Sequence, residues 1–97
     1  MLDFAFNPLA EQEYEAAVEQ YAAGQRDVHL RFVETFEAAL LQIRQFPESA
    51  PLARGAIRSK VLSGFPYTIY YSVRLPGLRV LAVAHQRRQP FYWVRRR

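Results

Sequence analysis

Ten of the thirteen lysines and arginines in this 97-residue chain lie after residue 53, where there is no aspartate or glutamate. Residues 1–53 hold the other three cations and all nine carboxylates. Cations gathered in one half without counter-charges point to an anionic partner for that half. Lys60 is the one lysine; the rest are arginines, whose planar forks match phosphate or carboxylate where an ammonium is only a point charge. Coding bias explains an excess of arginine but not the missing acids. Interleaved with Arg58, Lys60, Arg74, Arg87 and Arg88 are Tyr70, Tyr92, Trp93 and His85. Cations for a phosphate backbone and rings for bases are what a phosphate-rich ligand asks for. Cysteine is absent, and neither a metal-ligand cluster nor Walker-type glycine spacing occurs, so no metal and no cofactor are expected.

These residues need a scaffold, and the length fits one domain, residues 1–97. Leu2 to Phe6 reads as a short strand. Asn7-Pro8 then starts a helix, with Asn as cap and Pro at the first turn. Glu11, Glu13 and Glu15 follow near that end, where the helix dipole favours negative charge. Leu9, Tyr14, Ala17, Val18, Tyr21 and Ala22 recur at helical spacing, and Gly24 offers a stop. Asp27 caps a second helix with the stripe Val28, Phe32, Val33, Phe36, Leu40, Ile43, ended by Pro47. His29, on its flank, faces solvent. Pro47 to Gly55 reads as a loop. Ala56–Leu62, Tyr67–Arg74 and Leu78–His85 read as strands joined by turns at Ser63-Gly64 and Pro76-Gly77, hence antiparallel. The fold class is α+β, order β-α-α-β-β-β: a helical hairpin on one face of a mainly antiparallel four-stranded sheet. Residues 86–97 form a basic, aromatic tail. The start of the chain lacks a signal-peptide pattern and no run approaches the ~18 apolar residues of a membrane span, so a cytoplasmic protein with no membrane contact is expected.

Alternation then assigns faces. Tyr67, Ile69, Tyr71 and Val73 belong against the helices, and Thr68, Tyr70, Ser72 and Arg74 on the opposite side. By the same count Val80, Ala82 and Ala84 meet the helices, leaving Arg79, Leu81, Val83 and His85 opposite. With Arg58 and Lys60 added, the second face becomes a basic, tyrosine-bearing surface edged by His85, Arg87 and Arg88. Two readings of it stay open: a docking face, or an ordinary face that is either solvated or covered by the protein's own tail. The aromatics of Pro90-Phe91-Tyr92-Trp93 need cover from the sheet or from a partner, while Arg95 to Arg97 are expected to be mobile.

The run Arg58-x-x-x-Leu62-x-Gly64-Phe65-Pro66-Tyr67-x-Ile69-x-Tyr71-x-Val73, followed by Val80-Leu81-Ala82-Val83-x-His85-x-x-Arg88-x-Pro90-x-Tyr92-Trp93, resembles the RelE/ParE toxin family, its ParE-like or plasmid-stabilisation branch most of all. Ala10-x-x-Glu13, Tyr21, Arg31-Phe32 and Phe46-Pro47 extend the likeness over nearly the whole chain. The resemblance implies the toxin half of a type II toxin–antitoxin pair, held in a hetero-oligomer by a cognate acidic antitoxin that folds on binding.

The family offers two mechanisms. RelE-like members cut messenger RNA on the ribosome without a metal; ParE-like members poison DNA gyrase. Metal-free cleavage needs a base, a cation for the phosphorane and an acid for the leaving oxygen. Where the ribonuclease branch commonly has an arginine in the middle strand, this chain has Thr68, and no carboxylate lies after Glu48. Arg58, Lys60, His85 and Arg87 are the set from which a metal-free ribonuclease site could still be made, with His85 as acid or base; His85 can equally be a strand-end histidine bonded to the tail. The expected function is growth arrest by a non-enzymatic, gyrase-binding toxin, with messenger-RNA endoribonuclease as the alternative. Arg58, Lys60, Tyr70, Arg74, His85, Arg87, Arg88, Tyr92 and Trp93 are the expected target- or antitoxin-binding residues.

Overall fold

The computed structural model describes residues 1–97, with β1 (Asp3–Phe6), α1 (Pro8–Ala22), α2 (Val28–Gln45), β2 (Leu52–Arg54), β3 (Ile57–Val61), β4 (Tyr67–Arg74) and β5 (Gly77–His85) in chain order. The strands form one mixed sheet in the order β1-β5-β4-β3-β2. β1 runs parallel to β5, and every other pairing is antiparallel. The sheet therefore has five strands rather than four. The extra one, Leu52–Arg54, lies inside the stretch expected to be loop and pairs with β3 through Leu52↔Arg58 and Arg54↔Ile57, with an irregularity between. Three residues are too few to carry a readable alternation; the pairing follows from the chain doubling back at Gly55 (φ 55°).

Local chemistry sets the helix starts. The Asn7 side chain accepts from the Leu9 N–H at 2.9 Å, and Pro8 occupies the first helical position. Asp27 precedes α2 as expected, but with left-handed backbone (φ 65°) and no side-chain cap bond, a conformation aspartate tolerates better than most residues. α1 ends through Ala23, whose N–H reaches the Glu19 carbonyl. Arg44 near the end of α2 ties back to β1: its Nε donates to the Leu2 carbonyl at 2.6 Å, and Leu2 N–H donates to the Arg44 carbonyl at 3.0 Å.

The main core lies between the helical hairpin and one face of the sheet. Ala10 and Ala17 of α1 and Phe32, Phe36 and Ile43 of α2 meet Tyr67, Ile69, Tyr71, Leu78, Val80 and Val83. Phe6, Tyr14, Tyr21 and Phe65 add rings, with Tyr14 and Phe36 only 4.3 Å apart between centroids. Leu9 and Ala22, counted into the α1 stripe, are exposed. His29 is half-buried rather than solvent-facing, and its Nδ1 is buried without a partner. No helix is long and apolar enough to cross a membrane.

One irregularity decides which side chains face the helices. Along β4 and β5 the partners run Tyr67↔His85 to Tyr70↔Ala82, then jump to Tyr71↔Val80. Leu81 is the extra residue of a bulge, and an extra residue reverses the alternation beyond it. Val80 and Val83 therefore both face the helices, while Ala82 and Ala84 turn to the other side. The expected assignment of Ala82 and Ala84 to the helices, and of Val83 and His85 away from them, is corrected accordingly: His85 pairs with the helix-facing Tyr67 at the end of β5 and meets its ring.

Candidate functional site

The second face of the sheet is not open. The C-terminal segment folds across it in successive turns. Trp93 is 1% exposed and packs with Ala82 and Ala84, joined by Ala53, Ile57, Tyr70 and Tyr92. Its indole stacks on Tyr70 at 4.2 Å between centroids and 26° between planes, and Phe91 meets it edge-on at 5.7 Å. Of the two readings of this face, cover by the chain's own tail is the one realised. The bulge makes it possible: Ala82 and Ala84, not Leu81 and Val83, lie beneath the indole.

A single carboxylate fastens this layer. Glu13 of α1 lies between Ala10 and Ala17 on the helix side that meets β5, and its side chain is 15% exposed. Its Oε1 accepts from Arg96 Nη1 at 2.8 Å and from the Val83 N–H at 3.1 Å; its Oε2 accepts from the Tyr92 hydroxyl at 2.7 Å and from Arg96 Nη2 at 3.1 Å. Arg88 Nη1 stands 3.9 Å from the same Oε2. Arg96 Nη1 also donates to the Leu81 carbonyl at 3.1 Å. The guanidinium carbons of Arg88 and Arg96 lie 4.0 and 5.0 Å from the centre of the Tyr92 ring. Burial, then the hydrogen bond to Glu13, push the Tyr92 phenol well above its ordinary range, against the opposing pull of Arg88 and Arg96. The last residue is bonded too: the Arg97 carbonyl accepts from Asn7 Nδ2 at 2.7 Å and from Arg79 Nε at 3.4 Å. Arg96 and Arg97 are thus anchored, contrary to the expectation of a loose end.

Between this layer and the sheet lies a cleft of about 170 Å³, walled by Thr68, Tyr70, Ala84 and His85 on the sheet side and by Gln86, Arg88 and the segment Gln89 to Trp93 on the other. His85 accepts at Nδ1 from the Arg87 N–H at 3.1 Å, which leaves Nε2 to carry the proton of the neutral ring. Its ring meets Tyr67 edge-on at 5.1 Å.

The expected site residues divide. Tyr70, His85, Arg88, Tyr92 and Trp93 line the one cleft, and Arg87 is exposed beside it. Arg58 and Lys60 are elsewhere. Their register partners on β4 are Tyr71 and Ile69, both helix-facing core residues, so the two cations lie on the helical side of the sheet. The expected parity of β3 is reversed: Ile57 and Ser59 are the residues on the tail side, and three-residue β2 offers no anchor for the count. Arg58 Nη1 donates to the Ala50 carbonyl at 2.7 Å and the Glu48 carbonyl at 3.2 Å, and Lys60 lies beside Thr35, Ala38 and Gln42 of α2. Arg74 is exposed at the far end of β4. A continuous basic face made of Arg58, Lys60 and Arg87 does not exist; what exists is a tail-built cleft with Arg88 in its wall and Arg54 against Phe91 at 5.0 Å.

Glu13 is the residue that sequence reasoning underrated. Its signal was present as a carboxylate spaced three after Ala10 and four before Ala17, on the face those small residues bury. No three His, Asp or Glu side chains converge to hold a metal ion.

A family model described as the ParE toxin of the type II toxin–antitoxin system parDE matches residues 4–90. No curated protein matches the chain.

Proposed function

We infer the function of this chain from the premise that it belongs to the ParE toxin family of type II toxin–antitoxin systems. The family makes it the toxin of a pair and implies an antitoxin partner. The finer reading is that this toxin is neutralised by a cognate acidic antitoxin in a hetero-oligomer. Freed of it, the toxin arrests growth by binding DNA gyrase, without cutting messenger RNA. Its contacts come from the cleft and its surroundings: Tyr70, His85, Arg87, Arg88, Tyr92 and Trp93; Arg74 stands apart at the far end of β4.

The observation that carries the choice of gyrase over RNA is the separation of the cations. A metal-free phosphoryl transfer needs base, acid and phosphorane-stabilising cation around one phosphate. Arg58 is spent on loop carbonyls and Lys60 lies by α2, both on the opposite side of the sheet from Tyr70. Thr68 stands in the cleft wall where a cation would be wanted, and the one carboxylate within reach, Glu13, is saturated by four hydrogen bonds. An acidic antitoxin in turn suits a half-chain of ten cations without a counter-charge.

The test is direct. Antitoxin-free protein is added to a gyrase supercoiling assay and, in parallel, to translating ribosomes with labelled messenger RNA. Loss of supercoiling with intact message is expected. Untouched supercoiling with message cut at the ribosome would replace this reading by the ribonuclease one.

A further inference from the structure

We propose that Glu13 is a positioning residue that straps residues 86–97 to the sheet, and that neutralising this one carboxylate releases the strap while the helix–sheet body stays folded. The strap has few other attachments. Every ion pair made by residues 86–97, those of Arg88 and Arg96, ends on Glu13. The remaining bonds to the body involve no carboxylate: Gln86 N–H to the Pro66 carbonyl at 2.8 Å and the Arg87 and Arg88 N–H groups to His85 fix the base of the strap, Arg96 Nη1 donates to the Leu81 carbonyl, and the Arg97 carbonyl accepts from Asn7 Nδ2 and Arg79 Nε. Removing the charge leaves one accepting oxygen where the Tyr92 hydroxyl, the Arg96 guanidinium and the Val83 N–H now share two, and leaves the Arg88 and Arg96 guanidiniums beside the Tyr92 ring without an anion.

The packing is partitioned in the same way. The main core of fifteen buried residues contains nothing from the strap, and Trp93 belongs to a separate cluster with Ala82 and Ala84. A segment that shares no residue with the main core can open at a lower free energy than the whole molecule. The cleft loses one entire wall when it does, since Arg88 and Gln89 to Trp93 belong to the strap. Glu13 therefore builds the cleft without lining it.

Trp93 is the only tryptophan in the chain, so its fluorescence reads strap docking directly, with no partner present and whatever the chain's target is. In the full-length protein, Glu13→Gln is expected to move the emission to longer wavelength and raise acrylamide quenching several-fold, with far-UV circular dichroism unchanged. Tyr92→Phe retains the carboxylate and both Arg96 bonds, so its shift falls between wild type and Glu13→Gln. Wild-type emission in Glu13→Gln would overturn the proposal. So would a Tyr92→Phe shift as large as that of Glu13→Gln, because the carboxylate would then not be the fastening group. If Glu13→Gln does not accumulate as folded protein, Arg96→Gln breaks the same pair from the strap side. It must then give the red shift with the helical signal retained; loss of that signal in both variants rejects a separable strap.

Discussion

Arg58 shows how one residue type can serve two ends. From sequence it belongs to a basic patch, as any cation in that half does. In the fold its guanidinium holds the Glu48 and Ala50 carbonyls, bracing the loop between α2 and β2, while Tyr71 donates to the Pro47 carbonyl at 2.7 Å in the same loop. A charge-assisted hydrogen bond is worth about 1.5–3 kcal/mol when desolvated, and less where solvent reaches it. Arg58→Ala is therefore expected to lower the unfolding free energy by about 1–2 kcal/mol, read as a drop in the denaturant midpoint, with the proposed gyrase inhibition no weaker than in wild type at temperatures where the variant is folded. Lost inhibition at unaltered stability would make Arg58 a contact residue after all. Residue chemistry was legible in the sequence only as type: the ten cations and the aromatic cluster are there to be counted, but which of them meets which carbonyl is decided by strand register.

Elements were read well where the local code is strong. Asn7-Pro8 at the start of α1, Pro47 after α2 and the Ser63-Gly64 turn, with Gly64 at φ 80°, stand where backbone chemistry puts them. Two things escaped. β2 is held by pairing rather than by pattern, and the bulge at Leu81 leaves no mark on a run of apolar residues that suits either parity. Because the candidate cleft sits beyond that bulge, its composition was half right: Tyr70 and the tail aromatics were placed together, Arg58 and Lys60 wrongly added. Gly77 is a further element-scale constraint. It pairs with Asp3 across the parallel β1–β5 contact, and a Cβ there would stand 2.9 Å from the Asp3 carbonyl oxygen. Backbone cannot retreat as a side-chain tip can, so Gly77→Ala should cost about 1–3 kcal/mol. Thermal unfolding measures this, and an unchanged midpoint would show that β1 can move away freely.

For the molecule as a whole, the buried phenols set an upper limit in pH. Burial raises Tyr14, Tyr21, Tyr67, Tyr71 and Tyr92, five of the six tyrosines, above the ordinary phenol value. Their neutral forms are favoured in the folded state. The stability this contributes is complete below about pH 10, where the unfolded chain also keeps its protons, and is lost as pH climbs through the raised values. Phenolate absorbance should therefore lag behind that of free tyrosine and rise together with loss of the helical signal. Full ionisation at the ordinary pH with the fold intact would contradict it. The same limit bears on the tail, since deprotonating Tyr92 puts a second negative charge against the Glu13 oxygen it now bonds.

The bulge at Leu81 has one more implication. Strand alternation is a counter with two states, and Leu81 advances it by one at the midpoint of β5. Deleting Leu81 would lose one buried side chain yet leave Val80, Ala82, Val83 and Ala84 in simple alternation, with the alanines still beneath the indole. Deleting Ala82 instead, with the bulge kept at Leu81, would shift every residue from Val83 onward to the opposite face.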